Sequence, residues 1–92
     1  MNARRVVVES SLDDVRSDDV RFLEEAAKLG PLHVRIPSDV LLERQTGAAP
    51  RFPQAERRFL AGSLRWVTTA GLVDVPLIED VPGALDEAST LV

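Results

Sequence analysis

The sequence predicts an α/β domain in three layers around a mainly parallel sheet, and three patterns carry this prediction. The run Val6-Val7-Val8 is β-branched throughout, which is typical of a strand buried on both faces. Apolar residues then recur at helical spacing between Val20 and Leu29. Leu32 to Ile36 alternates between apolar and polar residues, as a strand with one buried face does. Strand, helix and strand in this order form a βαβ unit.

A polar loop joins the first strand to the first helix. Glu9 to Ser17 breaks the apolar pattern, and Ser17, Asp18 or Asp19 is expected to cap the helix by accepting hydrogen bonds from its first backbone amides. Gly30-Pro31 ends the helix, because neither residue continues helical backbone readily. The loop therefore lies at the carboxyl end of a parallel strand, where α/β proteins bind their ligands.

The second half of the chain is predicted to continue the alternation of helices and strands. Val40 to Arg44 is predicted to form a short helical turn and Gln45 to Phe52 a loop, and Pro53 is predicted to open a second helix. This helix is expected to bury Ala55, Phe59, Leu60, Leu64 and Val67 and to point Arg57, Arg58 and Arg65 mostly outward. A third strand, a short helix and a further strand are predicted at residues 72–75, 82–88 and 90–92.

Composition excludes several classes of function. The net charge of −4 argues against general nucleic-acid binding, which needs a basic surface. No apolar run approaches the roughly 20 residues that span a membrane. The chain has no cysteine, which excludes disulfides and thiol catalysis and agrees with a cytoplasmic location.

Several short segments within residues 5–75 occur in the order and spacing of one known family. They are Val6 to Val8, Ser11 to Asp13, Val20 to Gly30, Leu32 to Ile36, Ser38-Asp39, Gly47, Pro50 to Pro53, Glu56 to Arg58 and Leu64 to Val67. In these segments the chain resembles the cytidylyltransferase-like nucleotidyltransferases, which include glycerol-phosphate and heptose-phosphate nucleotidyltransferases. The resemblance implies a single Rossmann-like domain over residues 1–92, shortened at the C-terminus.

The same resemblance places a nucleotide site on this chain but leaves its central motif incomplete. The family signature is Gly-(Ser/Thr)-Phe-Asp, two residues, then His-x-Gly-His, and its positions fall on Ser10, Ser11, Leu12, Asp13, Arg16, Asp18 and Asp19. Only Ser11 and Asp13 fit, and both histidines that bind the nucleotide phosphates in the family are replaced. The resemblance therefore implies a vestigial site comprising Ser10, Ser11, Asp13, Arg16, Asp19, Ser38, Asp39 and Arg57.

Electrostatics agrees with the loss of this motif. Transfer of a nucleotidyl group depends on positive or neutral donors around a multiply negative phosphate chain. Asp18 and Asp19 would instead repel a triphosphate, so the sequence argues against nucleotide binding. The sequence identifies no cofactor, and if a nucleotide binds, Mg²⁺ is the ion that would accompany it. Arg16 stands among aspartates and is expected to form an ion pair with one of them.

Three functions remain open from the sequence. The first is a non-catalytic nucleotidyltransferase-like domain with a role in binding, assembly or regulation. The second is an active enzyme that transfers a cytidylyl or adenylyl group to a sugar or polyol phosphate with atypical residues. The third is a module that binds a small anion or a divalent metal, with Asp13, Asp14, Asp18 and Asp19 as the metal ligands.

The second strand also bears on the partners of this protein. His33 and Arg35 share its polar face, whereas a central parallel strand is normally apolar on both faces. Part of the sheet is therefore expected to be uncovered or covered by a partner. We expect a homodimer or contact with another protein domain.

Overall fold

The computed structural model describes residues 5–76 and 89–91, which form an α/β fold around a parallel sheet. In chain order the elements are β1 (Arg5–Glu9), α1 (Ser17–Ala27), β2 (Leu32–Pro37), α2 (Asp39–Thr46), α3 (Gln54–Ser63), β3 (Val67–Val73) and β4 (Ser89–Leu91). The strand order is β3-β2-β1-β4, and each neighbouring pair runs parallel. The predicted Rossmann-like α/β class is confirmed.

The two central strands, β1 and β2, build the core with α1 and α3. Val6 pairs with Leu32 and Val8 with Val34, so these side chains share one face of the sheet. Burial on this face is nearly complete, and it is covered from α1 and α3. The core side chains are Val6, Val8, Leu12, Leu23, Ala26, Leu32, Val34, Ile36 and Ala61.

The opposite face of β2 is polar, as the sequence predicted, and its two polar side chains make contacts within the chain. Arg35 is buried, and its Nη2 donates to the Val75 carbonyl oxygen at 3.1 Å. The His33 Nδ1 lies 2.6 Å from the Thr69 Oγ1, on the neighbouring strand β3. Burial, with the nearby Arg5 and Arg35 charges, lowers the pKa of His33 below its ordinary value of 6.5. This imidazole is therefore neutral at physiological pH.

The beginning of α1 differs from its prediction. The N-cap residue is Arg16, whereas Ser17, Asp18 or Asp19 was expected there. The Asp19 carboxylate accepts a hydrogen bond from the Arg16 backbone N–H at 2.9 Å. Asp19 is the third residue of the helix, and its side chain reaches back to the N-cap backbone. This contact is one of the two hydrogen bonds of a capping box.

The short turn predicted at Val40 to Arg44 is a complete helix, α2, of eight residues. The Ser38 Oγ caps it by accepting a hydrogen bond from the Leu41 N–H at 3.2 Å. Gly47 ends it with a left-handed φ of 78°, a conformation that glycine adopts without steric cost. The predicted loop start at Gln45 is therefore wrong by two residues.

The boundary between α3 and β3 was also misplaced. The sequence predicted one helical stripe reaching Val67 and a strand from Leu72, but Leu64 already has extended backbone and β3 begins at Val67. Valine and threonine at the start of β3 favour a strand. Val67 continues the helical spacing by chance, so apolar spacing alone does not show that the helix has ended before it.

The orientation of α3 is the largest error of the prediction. Arg57 and Ala61 form its buried side, whereas Ala55 and Phe59 point to solvent. Arg57 is only 1% exposed, and Phe59 is 74% exposed. The expectation that the helix points Arg57 outward is therefore wrong, because a set of backbone carbonyls satisfies its guanidinium inside the fold.

Two further expectations concern the end of the chain and the membrane. The strand predicted at residues 90–92 corresponds to β4, and the helix predicted at 82–88 lies outside the described residues. No helix in the described ranges has the length and apolar character that crossing a bilayer requires.

Truncation of a core residue on α1 tests this packing. Leu23 is 1% exposed, so Leu23→Ala is expected to lower the free energy of unfolding by about 2–5 kcal/mol. Leu29 follows α1 and is 61% exposed, so Leu29→Ala serves as the control, with a change within about 0.5 kcal/mol. Urea unfolding followed by circular dichroism measures both. Equal losses in the two variants would contradict the assignment of the core face.

A candidate site at the carboxyl end of the sheet

A cleft of about 370 Å³ opens beyond the carboxyl end of β1. One wall is the loop of residues 10–15 with Asp19, and the other is the second half of α2 with the loop that follows it. Ligands of parallel α/β sheets occupy this edge. The lining residues are Ser10, Ser11, Leu12, Asp13, Asp14, Val15, Asp19, Leu42, Thr46, Ala48, Ala49 and Arg51.

Some of the predicted site residues line this cleft, and others lie outside its lining. Five of the predicted residues line the cleft: Ser10, Ser11, Asp13, Asp14 and Asp19. Ser38 and Arg57 are buried away from its lining, and Arg16 is exposed outside it. The assignment of these residues to a vestigial nucleotide site stays a prediction.

The Arg57 guanidinium joins four separate segments of the chain. Its Nε donates to the Phe52 carbonyl oxygen at 3.0 Å. Its Nη1 donates to the carbonyl oxygens of Ser11 at 3.1 Å and Pro37 at 2.7 Å. Its Nη2 donates to the Asp39 Oδ1 at 2.9 Å. Arg57 therefore connects the loop after β1, the end of β2, the start of α2 and the loop before α3.

These contacts leave Arg57 little capacity for a ligand. A guanidinium has five N–H groups. Arg57 donates four hydrogen bonds, and all four acceptors are atoms of this chain. One N–H of Nη2 remains, but the Arg57 side chain is fully buried, so a phosphate could reach it only if the surrounding groups moved. Each buried carbonyl oxygen that lost its donor in this way would cost about 1–3 kcal/mol.

Asp13 holds the loop before α3 in place. Its Oδ2 accepts the Arg51 N–H at 2.8 Å, and its Oδ1 accepts the Phe52 N–H at 2.7 Å. Partial burial acts to raise the pKa of Asp13, but the two N–H donors and the Arg57 and Arg51 charges together lower it below its ordinary value of 3.8. The carboxylate is therefore ionised and occupied by backbone donors at neutral pH.

Leu12 adopts a strained conformation between these two contacts. Its φ is 56°, in the left-handed region that costs a non-glycine residue about 1–2 kcal/mol, and its side chain is 3% exposed. The Ser11 carbonyl on one side of Leu12 reaches Arg57, and the Asp13 carboxylate on the other side reaches the loop before α3. Burial of the leucine side chain offsets the backbone strain.

Three further acidic residues lie at or just before the start of α1, and one of them, Asp14, also has an oxygen 4.0 Å from the Arg51 Nη1. The Arg16 Nη2 lies 3.1 Å from the Asp14 Oδ2, which is the ion pair that the sequence led us to expect. Both side chains are at least half exposed, so the pair contributes about 0–1 kcal/mol. Asp19 accepts the Arg16 N–H, and Asp18 adds a second carboxylate to the first turn of α1.

The residues at the end of β2 have structural roles. Ser38 caps α2, and Asp39 receives Arg57 on its carboxylate while its backbone N–H donates to the Gln54 Oε1 at 2.9 Å. Sequence reasoning did not identify Gln54 or the two amides at Arg51 and Phe52, because only the folded chain brings them to these partners.

The metal-binding alternative receives no geometric support from the residues that the structure describes. In them, no three histidine, aspartate or glutamate side chains converge on a point where an ion would bind. Asp13 and Asp19 direct their oxygens at backbone N–H groups, and Asp14 directs its oxygen at Arg16.

A comparison with solved structures finds the same fold in a lipopolysaccharide core biosynthesis protein from Thermoplasma volcanium, with a TM-score of 0.75 and 27% sequence identity. The match covers 87% of this chain and 66% of that chain. The likeness shows a Rossmann-like fold and agrees with the nucleotidyltransferase-like fold that the sequence suggested. No family model matches the chain, and no curated protein matches it.

Removal of Arg57 tests its structural role. Arg57→Ala is expected to lower the free energy of unfolding by about 3–5 kcal/mol, because it leaves three carbonyl oxygens and the Asp39 carboxylate without their buried donor. Arg57→Lys keeps the charge but lacks the planar fork, so its loss should be intermediate. Denaturant unfolding measures both, with exposed Arg21→Ala as the control. A stable Arg57→Ala protein would show that the four contacts are dispensable.

The lowered pKa of Asp13 predicts an acid-sensitive contribution to stability. Because the folded pKa lies below the ordinary 3.8, this contribution is complete above that value and is lost as the pH falls through the folded pKa. Asp13→Asn is expected to lose about 1–2 kcal/mol at pH 7 and to show a shallower loss of stability below pH 4. Thermal unfolding at a series of pH values measures the slope. Parallel curves for the two proteins would rule out this role.

Proposed function

We propose that this chain is a nucleotidyltransferase-like domain without catalytic activity that acts in binding or assembly. The proposal depends on one observation: the predicted site residues bind other groups of this chain. Arg57 and Asp13 direct their polar atoms at backbone groups of this chain and thereby hold the loops around the cleft. Asp19 accepts the Arg16 N–H and closes the first turn of α1.

The charge at the start of α1 supports the same conclusion. The first turn of a helix attracts phosphate through its free N–H groups and its dipole. Here Asp18 and Asp19 stand in that turn, and Asp14 lines the cleft beside them. The added negative charge opposes a triphosphate at the position where the family's histidines would contact it.

The position of the single histidine is a second support. His33 is the only histidine of the sequence, and it is the second residue of β2. It lies toward the amino end of that strand, whereas the cleft opens at the carboxyl end of the sheet. No imidazole is therefore available to the cleft for stabilising charge in a phosphoryl-type transition state.

A pair of assays tests this proposal. The protein is mixed with CTP or ATP and Mg²⁺, and thermal unfolding is recorded; pyrophosphate release is then followed with sugar-phosphate and polyol-phosphate acceptors. A nucleotide at 100 times its Kd would stabilise the fold by about 2.7 kcal/mol and raise Tm by roughly 10 °C or more. We expect no such rise and no pyrophosphate. Turnover that scales with protein concentration would establish the active alternative.

A variant that restores the signature separates the effect of the loop from the rest of the cleft. The triple change Arg16→His, Asp18→Gly and Asp19→His removes two carboxylates and supplies both imidazoles. We expect this variant to show a nucleotide-dependent rise in Tm that the natural sequence lacks. The matched control changes the same three residues to alanine, which removes the charges without supplying the donors. Equal responses of the two variants would attribute the effect to charge alone.

A further inference from the structure

Three exposed apolar side chains surround one groove on the outer surface of α3. The groove has a volume of about 250 Å³. Its lining includes Leu12, Phe52, Glu56, Phe59, Leu60 and Ser63. Phe59 is 74% exposed and Phe52 is 53% exposed, and Leu60 is exposed beside them. Single apolar side chains on a surface need no explanation, but several around one groove indicate an interaction site.

Hydrogen bonds within the chain fix one wall of this groove. The Phe52 N–H donates to the Asp13 Oδ1 at 2.7 Å, and the Phe52 carbonyl oxygen accepts from the Arg57 Nε at 3.0 Å. The Leu12 side chain, which also lines the groove, is buried. A groove that is formed in advance loses less conformational entropy when a partner binds, and this favours affinity.

A second groove lies between α3 and the first half of β3. It has a volume of about 370 Å³ and shares Phe59 and Ser63 with the first groove. Gly62 borders it, and a Cβ added at Gly62 would have no contact within 4 Å outside its own helical turn. Phe59 therefore stands between two grooves that follow α3. A second helix could lie along α3 and place its side chains in them, as packed helices do.

The charges around the two grooves are mainly positive. Residues 51–65 contain four arginines and one acidic residue, although the whole chain has a net charge of −4. Arg57 is buried, whereas Arg58 and Arg65 are exposed and form no ion pair with any residue that the structure describes. Arg58 lines the second groove. A partner that carries carboxylates beside its apolar side chains is therefore complementary to this surface.

Shape and charge favour a protein partner over a nucleic acid or a membrane. The net charge of −4 repels a long polyanion wherever it extends beyond this patch. A bilayer presents a flat surface, whereas the two grooves are concave and accommodate separate side chains. A helix with apolar residues on one stripe and acidic residues beside it satisfies both the grooves and the arginines.

Five residues border the two grooves, and we call them the α3 surface: Phe52, Phe59, Leu60, Gly62 and Ser63. We propose that the α3 surface binds an acidic amphipathic helix of a partner protein. Apolar side chains of that helix enter the grooves and cover the Phe59 ring, and its carboxylates lie beside Arg58 and Arg65. The buried ring supplies most of the affinity, and the charges orient the partner.

This inference rests on the binding role proposed above and names the partner. The first groove shares only Leu12 with the lining of the cleft beyond β1. Peptide binding and pyrophosphate release are measured separately, so either proposal can fail while the other holds. The homodimer expected from the polar face of β2 concerns the opposite face of the sheet and stays a prediction.

The test begins with a phage-displayed library of random peptides of about 16 residues, which is enough for roughly four helical turns. The library is selected on the natural protein. Enriched peptides are expected to carry apolar residues three and four positions apart, with aspartate or glutamate beside them. These peptides are then synthesised, and their Kd is measured by fluorescence anisotropy.

Two variants establish whether the selected peptides bind the α3 surface. Phe59→Ser is expected to raise their Kd about ten-fold or more, because the partner no longer covers a phenyl ring. Arg58→Glu should raise it about five-fold, and an analogue with lysine in place of glutamate should bind this variant better than the natural protein. Leu29→Ser, at a comparably exposed residue after α1, is the control and should leave the Kd unchanged. Circular dichroism establishes that each variant is folded.

Three results would overturn the proposal. A selection that enriches no peptide, or enriches basic peptides, contradicts the stated chemistry of the partner. Equal Kd values for the natural protein and Phe59→Ser show that the peptides bind elsewhere. If vesicles of anionic phospholipid or single-stranded oligonucleotides bind the α3 surface and no peptide does, the partner is a membrane or a nucleic acid.

Discussion

The burial of one guanidinium is the constraint on which the carboxyl end of this fold depends. Arg57 donates to three carbonyl oxygens and one carboxylate that belong to four different segments. A buried cation is tolerated only when it is paired and hydrogen-bonded, so the loops that supply its partners must hold their positions together. The left-handed Leu12 and the two amides bound by Asp13 are parts of this same arrangement.

The same constraint links the fold to the proposed loss of catalysis. In a working phosphoryl-transfer site, cations and helix N-termini face the substrate. Here the cation faces the protein interior, and the helix start is closed by Asp19 and made negative by Asp18. The cleft beyond β1 has a volume of about 370 Å³, and hydrogen bonds within this chain hold the loops that surround it.

Sequence patterns predicted the fold class because its central elements are strongly periodic. Val6 to Val8 and Leu32 to Ile36 identified the two middle strands, and Val20 to Leu29 the first helix. The rotation of α3 could not be predicted in this way, because Arg57 is buried by carbonyl groups from distant loops. The start of β3 was missed for a related reason: Val67 satisfies a helical spacing and a strand propensity equally well.

Asp13 and Arg57 match positions of the resembled family and also hold the loops of this chain. This affects what their presence in a similar sequence says about its activity. Both residues match the resembled family, and both are required to hold the loops of this chain whether or not a nucleotide ever binds. Selection for folding alone would preserve them after an activity had disappeared. The side chains at positions 16 and 18 are exposed and make no buried contact, so folding constrains their identity much less than that of Asp13 and Arg57.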